Sequence, residues 1–154
     1  MILCYILTAV SFLMLFLSGL QGYFHFNILH AAHPTFALLT VIIYLFTQTL
    51  IIFYFVGIGV SIKEYVQDHK LIPEYQKRSF QVKRQVYPPI LWNLLLVMIL
   101  FISGGAVDTK HIPGWSHGLL FAISLLHFVK VIVIEHQSFK EATSIVLDMS
   151  GIKR

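Results

Sequence analysis

The sequence carries little charge for its length. Only 12% of its 154 residues are Asp, Glu, Lys or Arg, about half of the roughly 25% found in ordinary soluble domains. Disorder is excluded, because disordered chains combine low hydrophobicity with high charge. A soluble globule is also excluded, because 57% of the residues are hydrophobic and a domain of this size leaves much of its chain exposed. The shortage of charge therefore predicts an integral membrane protein of one domain.

Cysteine and catalytic motifs are scarce as well. Cys4 is the single cysteine, which excludes an intrachain disulfide and any CxxC metal or redox motif. Its place in an apolar run predicts a packing role. The sequence holds no glycine-rich phosphate loop, no GxSxG and no HExxH. Gly57 and Gly59 follow an apolar run rather than a strand, so they favour close helix packing or a bend over nucleotide binding.

Four apolar segments are present, over residues 2–23, 34–62, 89–107 and 116–135. Each is close to or above the roughly 20 residues that cross a hydrocarbon core about 30 Å thick. The first lacks a basic leader region and a small-residue cleavage site, which favours a retained helix over a signal peptide. We therefore predict an all-α integral membrane protein, a bundle of four transmembrane helices.

Three residues are expected to mark helix starts. Pro34 and Pro89 stand where a first-turn proline is favoured, because the missing N–H is unpaired there in any case. Ser116 is a suitable N-terminal cap for the fourth helix. The second, third and fourth helices are thus predicted to begin at these residues.

Basic residues concentrate on one side of the predicted bundle. With four spans, both termini and the connection between the second and third helices share a side. The opposite side has Lys110 alone, whereas this side has the other ten of the eleven basic residues: Lys63, Lys70, Lys77, Arg78, Lys83, Arg84, Lys130, Lys140, Lys153 and Arg154. The positive-inside rule makes the basic side cytoplasmic, an N-in/C-in topology. We expect a multi-pass protein of the bacterial inner (plasma) membrane.

Residues 63–87 are predicted to form a cytoplasmic helical connection that breaks or bends at Pro73. Anionic lipid headgroups or an acidic partner are candidate ligands of its two basic pairs, Lys77 and Arg78, and Lys83 and Arg84. The alternative is that these charges only fix the topology. Nucleic acid is not expected as a partner, because the positive charge lies in short segments between apolar runs.

The tail, residues 138–154, begins with the sequence SFKE, in which Ser138 and Glu141 match a capping box. An apolar stripe at helical spacing follows: Phe139, Ala142, Ile145, Val146 and Met149. We expect a separate amphipathic C-terminal helix that lies at the membrane interface or docks on a partner.

Histidines are the main source of chemistry. Five of the eight lie on the side opposite the basic residues, and these are candidate metal ligands: His25, His30, His33, His111 and His117. Three or four converging imidazoles would suit copper or another metal ion. Two imidazoles at equal depth would suit haem b, and His25, His33 and His117 lie at similar heights. The alternative is an interfacial role without any ligand.

His127 is predicted to lie near the bilayer centre, because it follows His117 by ten residues, or about 15 Å along a helix. A polar side chain at that depth usually faces the bundle interior with a partner. One interpretation is a hydrogen bond to Tyr44 or Thr47 that joins the second and fourth helices. The other is a haem ligand or a proton-relay site. Asn93 is expected to join helices in the same way.

The four-helix layout with histidines at the helix ends resembles the small cytochrome-b-type membrane anchors of respiratory complexes. The resemblance covers architecture and carries over no residue. Together with the histidines, it predicts a membrane subunit of a multi-subunit electron-transfer complex that holds haem b or, less readily, a metal ion, rather than an autonomous enzyme. A cofactor-free structural or assembly subunit is the main alternative, and a small metalloenzyme or transporter is a weaker one.

Overall fold

The computed structural model describes residues 1–28 and 30–151, and these are almost entirely helical. The four helices are α1 (Ile2–Phe24), α2 (His33–Asp68), α3 (Glu74–Asp108) and α4 (Gly114–Met149). All four are long and apolar enough to cross a membrane. The prediction of an all-α, multi-pass membrane protein is confirmed.

The helices form a ring in which chain neighbours are antiparallel. Contacts join α1 to α2, α2 to α3 and α3 to α4, and a smaller interface between α1 and α4 closes the ring. One end of the bundle carries the connections 25–32 and 109–113, and we call it the histidine end. The other end carries Met1, the turn 69–73 and residues 150–151, and we call it the termini end.

The helices differ in length. The 23 residues of α1 span about 35 Å, whereas the 35 or 36 residues of each other helix span about 53 Å. Since a hydrocarbon core is about 30 Å thick, α2, α3 and α4 continue past α1 at the termini end. We call these ends of α2, α3 and α4, residues 63–68, 74–88 and 136–149, the three-helix extension. Its first turns in α4 still contact the start of α1, since the rings of Phe139 and Tyr5 have centroids 5.2 Å apart. The predicted polar connection and tail are therefore mostly continuations of long helices.

The predicted helix start at Pro89 is wrong. Pro88 and Pro89 both lie inside α3, which begins at Glu74 directly after the predicted break at Pro73. An internal proline removes a backbone donor and costs about 3 kcal/mol. The helix nevertheless continues because Val86 and Ile90, on either side of the pair, are fully buried.

The other two predicted starts lie in the first helical turns. Pro34 is the second residue of α2, as expected of a first-turn proline. Helix α4 begins at Gly114, two residues before Ser116, so the predicted capping position is wrong. The Ser116 hydroxyl instead donates to the Pro113 carbonyl, 2.7 Å away.

The predicted capping box and separate C-terminal helix are also wrong. Ser138 is buried in the middle of α4, and Glu141 lies within the same helix. Most of the apolar stripe of the tail packs on the chain's own core, where the rings of Phe139 and Phe55 stack with centroids 5.0 Å apart, whereas Val146 is exposed. Ala142 and Ile145 are buried too, because they continue the inward face of α4. The end of the predicted tail, residues 152–154, lies outside the described residues.

A charged cluster joins α3 to α4 on the surface of the three-helix extension. Arg78 Nη2 lies 2.8 Å from Glu141 Oε1, and Arg78 Nη1 lies 2.8 Å from Asp148 Oδ2. The hydrogen bond to Asp148 is the main cause that raises the pKa of Arg78. Arg78, predicted to contact lipid, is therefore occupied by carboxylates of its own chain. Lys77 and Arg84 are exposed.

The buried face of α1 is mostly polar. Its members recur every three or four residues: Cys4, Thr8, Ser11, Leu15, Ser18 and Gln21. Small residues let membrane helices approach closely, and Gly19 does so here, because the Phe121 ring of α4 occupies the position that a Cβ would need. The burial of Cys4 agrees with the packing role predicted for it.

Candidate functional site: two buried histidines and a polar interior

The five candidate ligands at the histidine end fall into two groups. His25, His30 and His111 are exposed, and they belong to the connections between helices. His33 and His117 are half-buried, one in the first turn of α2 and the other in the first turn of α4. Only this pair enters the bundle, because only these two residues belong to an inward-facing turn of a helix.

The His33 ring lies against α1. A Cβ on Gly22 would come within 3.0 Å of His33 Cε1, so the glycine provides the space for the ring. Nδ1 of His33 is buried without a hydrogen bond of good geometry, and the ring lies near the backbone of Ser18 in α1. His33 and His117 lie near each other and near Asp108.

The His117 ring is oriented by α3. Its Nδ1 lies 2.8 Å from Ser103 Oγ, and Ser103 Oγ donates its only proton to the Leu100 carbonyl at 2.7 Å. The imidazole must therefore donate through Nδ1–H, which leaves the Nε2 lone pair of the neutral ring available. Imidazoles that bind metals are commonly fixed in this way by a partner on the second nitrogen.

A larger histidine cluster does not form. Across residues 1–28 and 30–151, no group of three or more His, Cys, Asp or Glu side chains is arranged to hold a metal ion. The predicted metal site of three or four imidazoles thus has no support from the positions of its candidate ligands. The paired arrangement for haem stays a prediction.

A hydrogen-bonded chain crosses the middle of the bundle from α2 through α3 to α4. Asn93 Nδ2 donates to Tyr44 Oη at 2.6 Å, and His127 Nδ1 donates to Asn93 Oδ1 at 2.8 Å. The predicted direct bond from His127 to Tyr44 or Thr47 is therefore wrong. The reason is that α2 and α4 are diagonal in the ring, so a side chain of the intervening α3 connects them. The predicted role of Asn93 in joining helices is confirmed.

A second bond links α1 to α2. Ser11 Oγ donates to Thr47 Oγ1 at 2.9 Å, and Thr47 Oγ1 donates in turn to the Ile43 carbonyl at 2.8 Å. Both side chains are buried. Interhelical hydrogen bonds of this kind in membranes average about 0.6 kcal/mol, so they orient the helices more than they stabilise them.

A buried carboxyl group, which hydropathy does not predict, lies next to these bonds. Glu135 is 2% exposed, and Gln48 and Thr8, which face it, are 0% and 5% exposed. Glu135 Oε1, Thr8 Oγ1 and both polar side-chain atoms of Gln48 are buried without a hydrogen bond of good geometry. Such atoms are rare in native proteins, and each requires a physical explanation.

A signal for this cluster was present in the sequence. Glu135 follows Phe128 and Val131 by seven and four residues, a spacing that puts all three on one helix face. Thr8 and Ser11 start the polar stripe of α1 at the same kind of spacing. Hydropathy does not reveal Glu135, because the residue is also the boundary of the fourth apolar segment.

Comparisons with known proteins give no relative: no family model, curated protein or solved structure matches the chain. The buried histidine pair and the polar interior are therefore the basis for assigning a function.

Proposed function

We propose that the chain is a membrane subunit of a multi-subunit electron-transfer complex, in which His33 and His117 are the axial ligands of a haem b. The observation that supports this most is the selection of these two histidines, out of five, for the interior of the bundle. They come from different helices, as the two ligands of a b-type haem do, and the Nε2 lone pair of His117 is available. A haem held there would let electrons pass between partner subunits.

The orientation proposed for the subunit follows from its charges. Among the described residues, seven basic side chains belong to the termini end and its extension, and Lys110 belongs to the histidine end. Lys130 lies in the middle of α4, from where it would extend toward the termini end. The positive-inside rule then puts the termini end in the cytoplasm of a bacterial cell and the haem near the outer face of the inner membrane. Lys77 and Arg84, which are exposed on the three-helix extension, would meet anionic headgroups.

Optical spectra of the purified native assembly, before and after dithionite, test the haem. We expect a Soret band that shifts on reduction in the wild-type protein. His33→Ala and His117→Ala should each abolish the low-spin, six-coordinate spectrum, because the haem loses one axial ligand. His25→Ala and His111→Ala are matched controls from the same end of the bundle, and they should keep the band because both side chains are exposed. Equal loss in all four variants would contradict the assignment to the buried pair.

A cofactor-free structural or assembly subunit is the second candidate, and a separate observation favours it. The Tyr44–Asn93–His127 chain and the Ser11–Thr47 bond link all four helices without any ligand. In this case the protein would co-purify with partner subunits and contain neither haem nor metal in stoichiometric amount. Elemental analysis of the same preparation therefore separates the two candidates.

A further inference from the structure

We propose that Glu135 is a reversible proton-binding site inside the bundle, with Thr8 and Gln48 as its hydrogen-bonding partners. This site is independent of the histidine pair, and it would give the subunit a capacity to take up and release protons within the membrane. Three observations support the site: Glu135 is buried, its surroundings are uncharged, and its two partners can both donate and accept hydrogen bonds.

Within residues 1–28 and 30–151, no charged side chain pairs with Glu135. In the part of the chain that the structure describes, both ion pairs belong to Arg78. The titratable side chains that face Glu135 are Cys4 and Tyr5 from α1 and Tyr44 from α2, and all three are uncharged near neutral pH. An isolated buried carboxylate is so costly that such a group takes up a proton instead.

The neighbouring ionisable residue on α4 does not change this. His136 is exposed, and its Nδ1 lies 3.0 Å from the Tyr5 hydroxyl. Its hydrogen-bond partner is thus Tyr5, a half-buried residue at the edge of the core, rather than Glu135. The carboxyl group is left with polar but uncharged surroundings.

Thr8 and Gln48 can satisfy both protonation states of the carboxyl group. When Glu135 is ionised, the Thr8 hydroxyl and Gln48 Nε2 can donate to its oxygens. When it is protonated, its O–H can donate to Gln48 Oε1 or to Thr8 Oγ1. Because these atoms are buried and otherwise without partners, a small rotation is enough to change the pattern. Proton exchange at Glu135 is thus reversible.

A proton fits this cluster better than a metal cation does. Among the described residues, the cluster offers four side-chain oxygens, two from Glu135 and one each from Gln48 and Thr8. Mg²⁺ requires octahedral coordination and Ca²⁺ takes about six to eight oxygens. The carbonyls of the surrounding helices are largely used in helical hydrogen bonds. One carboxyl group with two amphoteric partners is sufficient for a proton.

The site lies toward the termini end. Glu135 is 21 residues after Gly114, the first residue of α4, or about 32 Å along the helix. Gln48 directly follows Thr47, which is bonded to Ser11, and Tyr44 lies one turn earlier in α2 and starts the chain to His127. Buried polar side chains of α2 thus recur from the level of Glu135 to the middle of the bundle.

Labelling with dicyclohexylcarbodiimide tests the proposal, because this apolar reagent reacts with protonated carboxyl groups. The full chain in lipid vesicles would be treated over a range of pH, and adducts would be located by peptide mass spectrometry. We expect labelling of Glu135 near neutral pH at least about tenfold above that of the exposed Glu64 and Glu74, with a fall as the pH rises. Equal labelling of all three residues, or none at Glu135, would overturn the proposal.

The same assay distinguishes a proton from a bound cation. Replacing choline by Na⁺ at constant pH and ionic strength should leave the labelling unchanged, and protection by Na⁺ would overturn the proposal in favour of a cation site. Glu135→Gln should remove the adduct, with helical circular dichroism as the folding control. If that variant does not fold, the pH titration of the wild-type protein still decides.

Removing the two partners tests their role. The double variant Thr8→Val with Gln48→Leu should move the midpoint of labelling upward by about one pH unit or more, because the ionised form loses its charge-assisted hydrogen bonds. Ser11→Ala is the matched control, since Ser11 is a buried hydroxyl of the same helix bonded to Thr47 instead. An unchanged midpoint in the double variant would show that Thr8 and Gln48 only fill space.

Discussion

The two ends of the bundle differ in which of their ionisable side chains are buried. At the histidine end, five histidines crowd two short connections, yet three of them are exposed and only His33 and His117 are half-buried. Toward the termini end, most charges stay at the surface, some of them in the Arg78 cluster, while the single carboxyl group of Glu135 is buried. Local density of ionisable residues therefore does not decide which of them enters the bundle. The helix face on which each residue falls decides it.

The largest effect on stability should come from breaking the central hydrogen-bonded chain. Asn93→Ala leaves the buried Tyr44 hydroxyl and His127 Nδ1 without their partner, and each unsatisfied group costs about 1–3 kcal/mol. We expect the free energy of unfolding in detergent to fall by about 2–4 kcal/mol, measured by circular dichroism. His111→Ala, at an exposed site, should change it by less than about 0.5 kcal/mol. Similar values for both variants would remove the distinction between interior and surface.

The packing of small residues at the histidine end gives a smaller effect. Gly19→Ala forces the Phe121 ring away from α1, and such overpacking costs about 1–3 kcal/mol. Gly57→Ala is the matched control, because no atom lies within 4 Å of the added Cβ. That control should be neutral or stabilising by up to about 1 kcal/mol, since alanine favours helix over glycine. A neutral Gly19→Ala, in the same thermal unfolding assay, would mean that α1 and α4 are not closely packed there.

The charged cluster of the three-helix extension should contribute least. Arg78→Ala is expected to lower the free energy of unfolding by about 0.5–1 kcal/mol, because both ion pairs are partly exposed. In about 1 M salt the effect should shrink, since the screening length falls to about 3 Å. Lys77→Ala, next to it but exposed and outside both ion pairs, is the control. An effect of Arg78→Ala that is independent of salt would indicate packing rather than charge.

The direction of the pKa shift of Arg78 predicts how the stabilisation by its ion pairs depends on pH. The carboxylates raise the pKa of Arg78 in the folded state above its ordinary value. A group of this kind contributes its full stability below its unfolded pKa, which for arginine lies far above neutral, and loses it only as the pH rises through its folded pKa. On the basic side, the effect of Arg78→Ala should therefore stay the same from neutral pH to about pH 10.

Hydropathy alone predicts the four helices, because the cost of burying backbone in lipid leaves helices as the main solution for such segments. The ends of the helices were harder to predict. Pro89 and Ser138 are strong local signals, but burial of Val86, Ile90 and Phe139 outweighs them and the helices continue. Local sequence shows which residues favour a helix end. It does not show the tertiary contacts that stabilise the helix through those residues.

The candidate site could be predicted in part. Depth along the helix put His33 and His117 at one level, since both are near helix starts. The position of a residue along the helix does not determine whether its side chain points into the bundle. The sequence therefore could not separate this pair from His25, His30 and His111. The opposite holds for Glu135. Its spacing from Phe128 and Val131 puts it on their helix face, but hydropathy ends the apolar segment at this residue and so does not predict its burial.

The haem content of the native assembly, measured per chain as the pyridine haemochrome, tests the central assignment most directly. We predict about one haem b per chain in the wild-type protein and in His111→Ala, and a loss of haem in His117→Ala with partner subunits still bound. An assembly that contains all of its subunits but no haem in the wild-type form would contradict the proposed role of the buried histidine pair.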